Sequence, residues 1–221
     1  MNVITVPLLD ADQLEYVFGH LSGQNPRWLD GRLTAGDHAA SVKNNKQLNP
    51  ECGVALEIEK FISTQLLAHP LIKSFSLMRK VHSCLISRCD EGDGYGWHVD
   101  NPFSKYGRRD LSFTVFLSDP STYEGGQLEI QSSQESSIYR LPAGHVLVYP
   151  SSSLHRVLPV TSGCRYAFVG WIESYVQAEE DRLLLFNLDA GARGLLTRHG
   201  RSEELDLVFQ AYVNAVRRLS R

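Results

Sequence analysis

The chain predicts a mainly β core, an antiparallel sandwich or jelly roll, flanked by helices at both ends. Three observations carry this expectation. Between Ser74 and Ser174, short runs rich in β-branched, leucine and aromatic residues alternate with turn clusters. Before and after that stretch, apolar residues recur at helical spacing. A length of 221 residues with 43% apolar content is enough for one well-packed core.

In chain order, Asp10 can cap a helix that has Gln13 at its third position, because each side chain can satisfy the other's free N–H. Leu14, Val17, Phe18 and Leu21 share one face of that helix, and Gly23 stops it. Residues 25–49, rich in Gly, Asn and Lys, are predicted to form a polar loop. Asn49-Pro50 is a predicted helix start, since proline at the first helical position gives up no needed N–H. Val54, Ile58, Phe61, Ile62 and Leu66 make its apolar stripe. It should end near Ala68, because Pro70 disfavours helical angles at the residue before it.

The clearest predicted strands are Val81–Arg88, Leu111–Ser118, Gln127–Gln131, Ile138–Leu141, His145–Tyr149 and Tyr166–Ile172. Asp90-Glu91-Gly92-Asp93-Gly94, Glu124-Gly125-Gly126 and Pro142-Ala143-Gly144 punctuate them. Helix returns from Glu179 to Arg198, stopped by Gly200. Ser202 then caps a last helix whose stripe is Leu205, Val208, Phe209, Tyr212, Val213 and Val216. The expected division is a main domain of residues 1–176, with its β core at 74–174, and a helical extension, 177–221, packed on it.

Composition removes several classes of function. With 22 basic and 25 acidic residues, a net charge of -3 gives no electrostatic footprint for nucleic acid or an anionic membrane. The pairs Arg108-Arg109 and Arg217-Arg218 read as solvated surface. No apolar run is long enough to span a bilayer, and the first residues lack the basic and cleavable regions of a signal peptide. Cys52, Cys84, Cys89 and Cys164 show no framework spacing, which fits a reduced, cytoplasmic setting with buried thiols.

The residues that point to chemistry are His98-Val99-Asp100 and the later His155. In an extended strand, positions two apart face the same way, so an imidazole and a carboxylate can aim at one ion. A jelly roll brings distant segments side by side, which lets His155 complete the set. Two histidines and one carboxylate on one side of an octahedral ion leave positions for a co-substrate and oxygen, as in non-haem iron(II) oxygenases. A lone H-x-D is a weak signal. The sharper one is its place after a Gly-rich turn, with His155 following a strand and Arg165 ten residues on. Arginine offers a planar fork for a carboxylate that lysine lacks.

Longer stretches carry a family resemblance: Ser41-Val42-Lys43-Asn44-Asn45, His98-Val99-Asp100-Asn101, Tyr123-Glu124-Gly125-Gly126-Gln127-Leu128, and above all Tyr149-Pro150-Ser151-Ser152-Ser153-Leu154-His155-Arg156-Val157. Through these, and on to Arg182-Leu183-Leu184-Leu185-Phe186, the chain resembles the PKHD-type hydroxylases. These are relatives of prolyl 4-hydroxylase within the iron(II)/2-oxoglutarate dioxygenases. The resemblance implies a double-stranded β-helix (jelly roll) core with flanking helices. It further implies iron held by His98, Asp100 and His155, 2-oxoglutarate held through its distal carboxylate by Arg165, and ascorbate as reductant. The implied reaction consumes O2, releases succinate and CO2, and hydroxylates a small-molecule or peptidyl substrate. Such relatives carry a supporting tyrosine shortly before the Gly-rich turn, where this chain has Cys89.

Lys43, Asn44, Asn45, Asn101 and Arg109 sit in polar segments near the expected mouth and are expected substrate contacts. Trp97 is expected to pack as core, and His20, His38, His69, His82, His145 and His199 to be structural or exposed. Two other readings accommodate the same residues: a weakly catalytic sensor of iron and 2-oxoglutarate, and a cupin-like metalloenzyme that does not use the keto acid. The second leaves Arg165 without a task.

Overall fold

The computed structural model describes residues 3–23, 26–34, 40–131 and 135–220. His38 and Asn25 therefore lie outside the described residues. The chain opens with strand β1 (Ile4–Pro7) and helix α1 (Ala11–Gly23). The predicted capping box is present: the Asp10 N–H donates to Gln13 Oε1 at 3.0 Å, and the Gln13 N–H to Asp10 Oδ1 at 2.9 Å.

The polar loop predicted over 25–49 is corrected by the structure. It holds β2 (Trp28–Asp30), a short 3-10 turn, β3 (Lys43–Asn44) and β4 (Lys46–Leu48). Strands β2 and β3 end their sheets and β4 lies beside β2; the charged and amide side chains of β3 and β4 carry no apolar period-two pattern to read. The next helix starts later than predicted. Asn49 and Pro50 form a turn, closed by Glu51 N–H on Asn49 Oδ1 at 3.1 Å, and α2 runs Gly53–Ala68. Its predicted stripe holds: Val54, Ile58, Ile62 and Leu66 are buried. Pro70 ends α2 and begins α3 (Pro70–Ser76), so helix extends slightly into the stretch read as β.

The β region follows as β5 (Met78–Cys89), β6 (Gly94–His98), β7 (Phe103–Ser104), β8 (Gly107–Arg108) and β9 (Leu111–Phe116). Then come β10 (Tyr123–Gly125), β11 (Leu128–Gln131), β12 (Ser136–Tyr139), β13 (His145–Pro150), β14 (His155–Val157), β15 (Val160–Gly163) and β16 (Arg165–Ser174). Two main sheets result, with orders β1-β13-β9-β16-β5-β4-β2 and β12-β11-β14-β6-β3, alongside the two-stranded pairs β10-β15 and β7-β8. Most β pairing is antiparallel between segments distant in sequence, as in a jelly roll.

One face of the larger sheet is covered by helices. Ile58, Ile62 and Leu66 of α2 join Ile86, Phe113, Phe168 and Ile172 in one apolar cluster. Strand β9 is buried along its whole length, yet its residues alternate. Leu111, Phe113 and Val115 belong to that cluster, whereas Ser112 and Thr114 line the cavity described below. Helices α4 (Glu179–His199) and α5 (Glu203–Leu219) close the chain, with Ser202 capping α5 through Leu205 N–H at 3.2 Å. Buried Asp189 of α4 accepts from Ser74 Oγ of α3 at 2.7 Å, which fixes α4 to the core. In the α5 stripe Leu205 is buried, Val213 is exposed and the rest is half-buried.

Candidate active site

Strands β6 and β14 are antiparallel neighbours, and their register sets His155 opposite His98. His155 thus lies on a strand rather than just past one, and that pairing is what brings the two histidines together. Their rings lie 4.2 Å apart between centroids. His98 Nδ1 is 2.8 Å from Gly96 O, and His155 Nδ1 is 2.9 Å from Ser153 O. A carbonyl accepts only from N–H, so both rings carry their proton on Nδ1 and keep the Nε2 lone pair for a ligand.

Asp100 does not share a strand with His98, as the sequence suggested; β6 ends at His98. The carboxylate is placed instead by two side chains of the larger sheet. Ser112 Oγ donates to Asp100 Oδ2 at 2.6 Å and Trp171 Nε1 donates to the same oxygen at 2.9 Å. That oxygen lies 3.9 Å from His155 Nε2. One ligand atom from each of His98, Asp100 and His155 falls within 4.8 Å of the others. Burial above all, together with neighbouring His155, pushes the His98 imidazole down to about 4, against the pull of Gly96 O and Asp100. The ring is neutral at pH 7, the form that binds a metal.

Arg165 opens β16, opposite Cys89 of β5. It is 3% exposed, and its Nε and Nη2 are buried with no partner. A buried guanidinium left incomplete in this way is costly, and a bound carboxylate relieves the cost. Gly126 backs it: a Cβ there would come within 2.8 Å of Arg165 Cδ, and its φ of +65° is itself one that glycine allows. Arg165 shares one cavity with the His/Asp/His cluster. Two imidazoles with Nδ1 engaged by carbonyls, together with a carboxylate, fit ferrous iron, and the orphaned guanidinium fits a dicarboxylate co-substrate.

Lys43, Asn45, Asn101 and Arg109 line the same cavity. Asn44 does not. It alternates outward on β3 and is exposed. Lys43 is 8% exposed, with Nζ 3.3 Å from Thr34 Oγ1 and 5.0 Å from the centre of the Tyr95 ring; burial pushes its ammonium down to about 8. Asn45 is occupied locally, donating to Ser87 Oγ at 2.7 Å. The Arg108-Arg109 pair is not solvated surface: Arg108 pairs with Asp110 at 3.3 Å and Glu173 at 3.6 Å, and Arg109 lies 4.0 Å over the Trp171 ring. Arg217 and Arg218 are exposed, as read. Trp97 stacks with Arg156 instead of facing the cavity. His82 is structural, bonded to Arg108 O at 2.8 Å, and His69 caps α3.

Sequence reasoning missed Tyr95, Ser112, Tyr149 and Trp171 as site residues. Tyr95 stacks on His98 at 3.5 Å, and Tyr149 packs edge-on against His155 at 5.2 Å. A usable signal existed for Ser112 and Thr114, which are polar at period two in an otherwise apolar strand.

A jelly roll that gathers a His/Asp/His cluster and a buried arginine in one cavity defines an oxygenase of the iron(II)/2-oxoglutarate class. Comparison with known proteins agrees: residues 84–173 match the 2OG-Fe(II) oxygenase superfamily. A PKHD-type hydroxylase of Synechococcus sp. (strain CC9902) is 61% identical over 220 residues, covering 100% of this chain and 99% of that one. Another, of Prochlorococcus marinus (strain MIT 9313), is 52% identical over 219 residues, 99% of each. The chain belongs to the PKHD-type hydroxylases. Among solved structures it is similar in fold to a Trichoplax adhaerens prolyl hydroxylase in complex with a hypoxia inducible factor peptide fragment. That match has a TM-score of 0.62 and 17% identity over 83% of this chain and 86% of that one. A Pseudomonas putida prolyl-4-hydroxylase gives a TM-score of 0.57 and 18% identity, over 78% and 92%. The protein is an iron(II)- and 2-oxoglutarate-dependent dioxygenase that hydroxylates an organic substrate, and neither the sensor nor the cupin-like reading is favoured. No described helix is long and apolar enough to cross a membrane.

Proposed function

We propose that His98, Asp100 and His155 hold the iron and that Arg165 holds the distal carboxylate of 2-oxoglutarate. The observation that carries this is the convergence of three donor atoms within 4.8 Å in the cavity that Arg165 enters with unpaired N–H groups. Iron(II) bound there supplies oxygen activation, driven by conversion of 2-oxoglutarate to succinate and CO2. The chain's own residues do the rest. The carbonyls of Gly96 and Ser153 fix both imidazole tautomers. Ser112 and Trp171 hold Asp100 in place. The almost fully buried Phe116 ring lies 5.4 Å from the Arg165 guanidinium carbon and shields it from water, so its charge acts in a low dielectric.

Ascorbate is the reductant that keeps the iron ferrous between turnovers, on the strength of the family likeness. The substrate is a small molecule or a peptidyl group; the peptide in the Trichoplax structure supports the latter form. Four free cysteines support a reducing, cytoplasmic setting. Residues 1–176 make the oxygenase domain, and residues 177–221 a helical extension on it. Anaerobic protein given ferrous iron and 2-oxoglutarate should show a visible charge-transfer band that His98→Ala abolishes. Arg165→Met should raise the 2-oxoglutarate concentration needed for the band at least tenfold while iron content stays unchanged. A well-folded protein without the band would overturn the assignment.

A further inference from the structure

The cavity holds more positive charge than iron and 2-oxoglutarate need. Among the described residues that line it, Asp100 is the one carboxylate, against the cations Lys43, Arg109 and Arg165. With the co-substrates placed as proposed above, the two charges of iron are met by Asp100 and the keto-acid carboxylate. The charge of Arg165 is met by the distal carboxylate. Lys43 and Arg109 remain. Neither has a carboxylate within ion-pairing distance among the described residues. Lys43 is 8% exposed with a hydroxyl and an aromatic ring for company, and Arg109 keeps a buried Nε without a partner. Burial of an unpaired cation is destabilising, and an enzyme retains one where a ligand's charge completes it. Lys43 comes from β3 of the smaller sheet and Arg109 from the segment leading into β9 of the larger one, and both line the cavity that holds Asp100.

We propose that the substrate carries an anionic oxygen group, a carboxylate or a phosphate, which Lys43 and Arg109 receive. This rests on the iron and 2-oxoglutarate assignment, and the test separates the two. Protein loaded with Zn(II) in place of iron, which does not turn over, is saturated with 2-oxoglutarate and uptake is measured by calorimetry. It is then titrated with acetate, inorganic phosphate and neutral acetamide while tryptophan fluorescence is followed, since Trp171 lies under Arg109. A saturable response to acetate or phosphate at millimolar concentration is expected, with none to acetamide; the tighter anion names the group. Lys43→Met and Arg109→Met should each weaken that response at least tenfold, and Lys43→Arg should restore it to within about threefold. Lys43→Met should leave 2-oxoglutarate affinity within twofold and raise the thermal midpoint, which a lysine serving only structure would lower.

No saturable anion response, an equal response to acetamide, or an unchanged response in both methionine variants overturns the proposal. A Lys43→Met variant that loses 2-oxoglutarate affinity overturns it too, by assigning Lys43 to the co-substrate. Wild-type protein that takes up no 2-oxoglutarate sinks the underlying site assignment instead.

Discussion

Asp100 shows how a single side chain can depend on residues that never touch the metal. It stands beyond the end of β6, so its position rests on Ser112 and Trp171 donating to one oxygen. Ser112→Ala and Trp171→Phe are each expected to weaken iron binding by about tenfold, read by metal titration, without unfolding the protein. The convergence of His98, Asp100 and His155, with Arg165 in the same cavity, was legible in the sequence because residue type and spacing suggest metal and carboxylate chemistry. Ser112 and Trp171 were not, since their task follows from where Asp100 lands in space. Asp90 offers a pH test at the same scale. Burial alone would raise it, but hydrogen bonds from Lys46 at 2.7 Å and Arg88 at 2.8 Å outweigh that and hold it at about 2. Its folded pKa is below the unfolded value of about 4, so its stabilisation is present above that value and lost as pH falls through about 2. The gap in thermal midpoint between wild type and Asp90→Asn should therefore be widest near neutrality and close towards pH 2.

At the scale of elements, the Glu124-Gly125-Gly126 turn does more than punctuate strands. Gly126 has a φ of +65°, and Arg165 Cδ occupies the space a methyl group would need. Gly126→Ala should displace the guanidinium and raise the half-saturating 2-oxoglutarate concentration about tenfold with metal content intact; an unchanged value would separate this turn from the co-substrate. Helices were easier to read than edge strands. The α1 capping box and the stripes of α2 and α5 are local patterns, while β2, β3 and β4 exist through pairing with β5 and β6. Asn49-Pro50 misled because an Asx-type turn and a helix start use the same residues.

For the whole molecule, the two-sheet architecture followed from strand rhythm and turn chemistry. The order of strands within each sheet did not, because antiparallel register over long separations leaves no mark in any one segment. The C-terminal helices differ in how they are tied in. Helix α4 buries Arg182, Leu185 and Asp189, with Arg182 donating to Val176 O at 2.9 Å and Asp189 held by Ser74, whereas α5 fully buries only Leu205 among its described residues. A chain ending at Gly200 is expected to fold and bind iron, with a lower thermal midpoint. One ending at residue 176 should lose cooperative unfolding, as calorimetry would record.

Residues 43–48 pass from one sheet to the other, pairing first with β6 and then with β5. Removing the segment would bare two rows of backbone N–H and C=O groups at once, a template on which strangers can stack. Cells carrying such a deletion should therefore accumulate insoluble fibrous deposits, and a fluorescent amyloid dye would reveal them. The stretch that presents Lys43 to the cavity is also what occupies the flanks of β6 and β5.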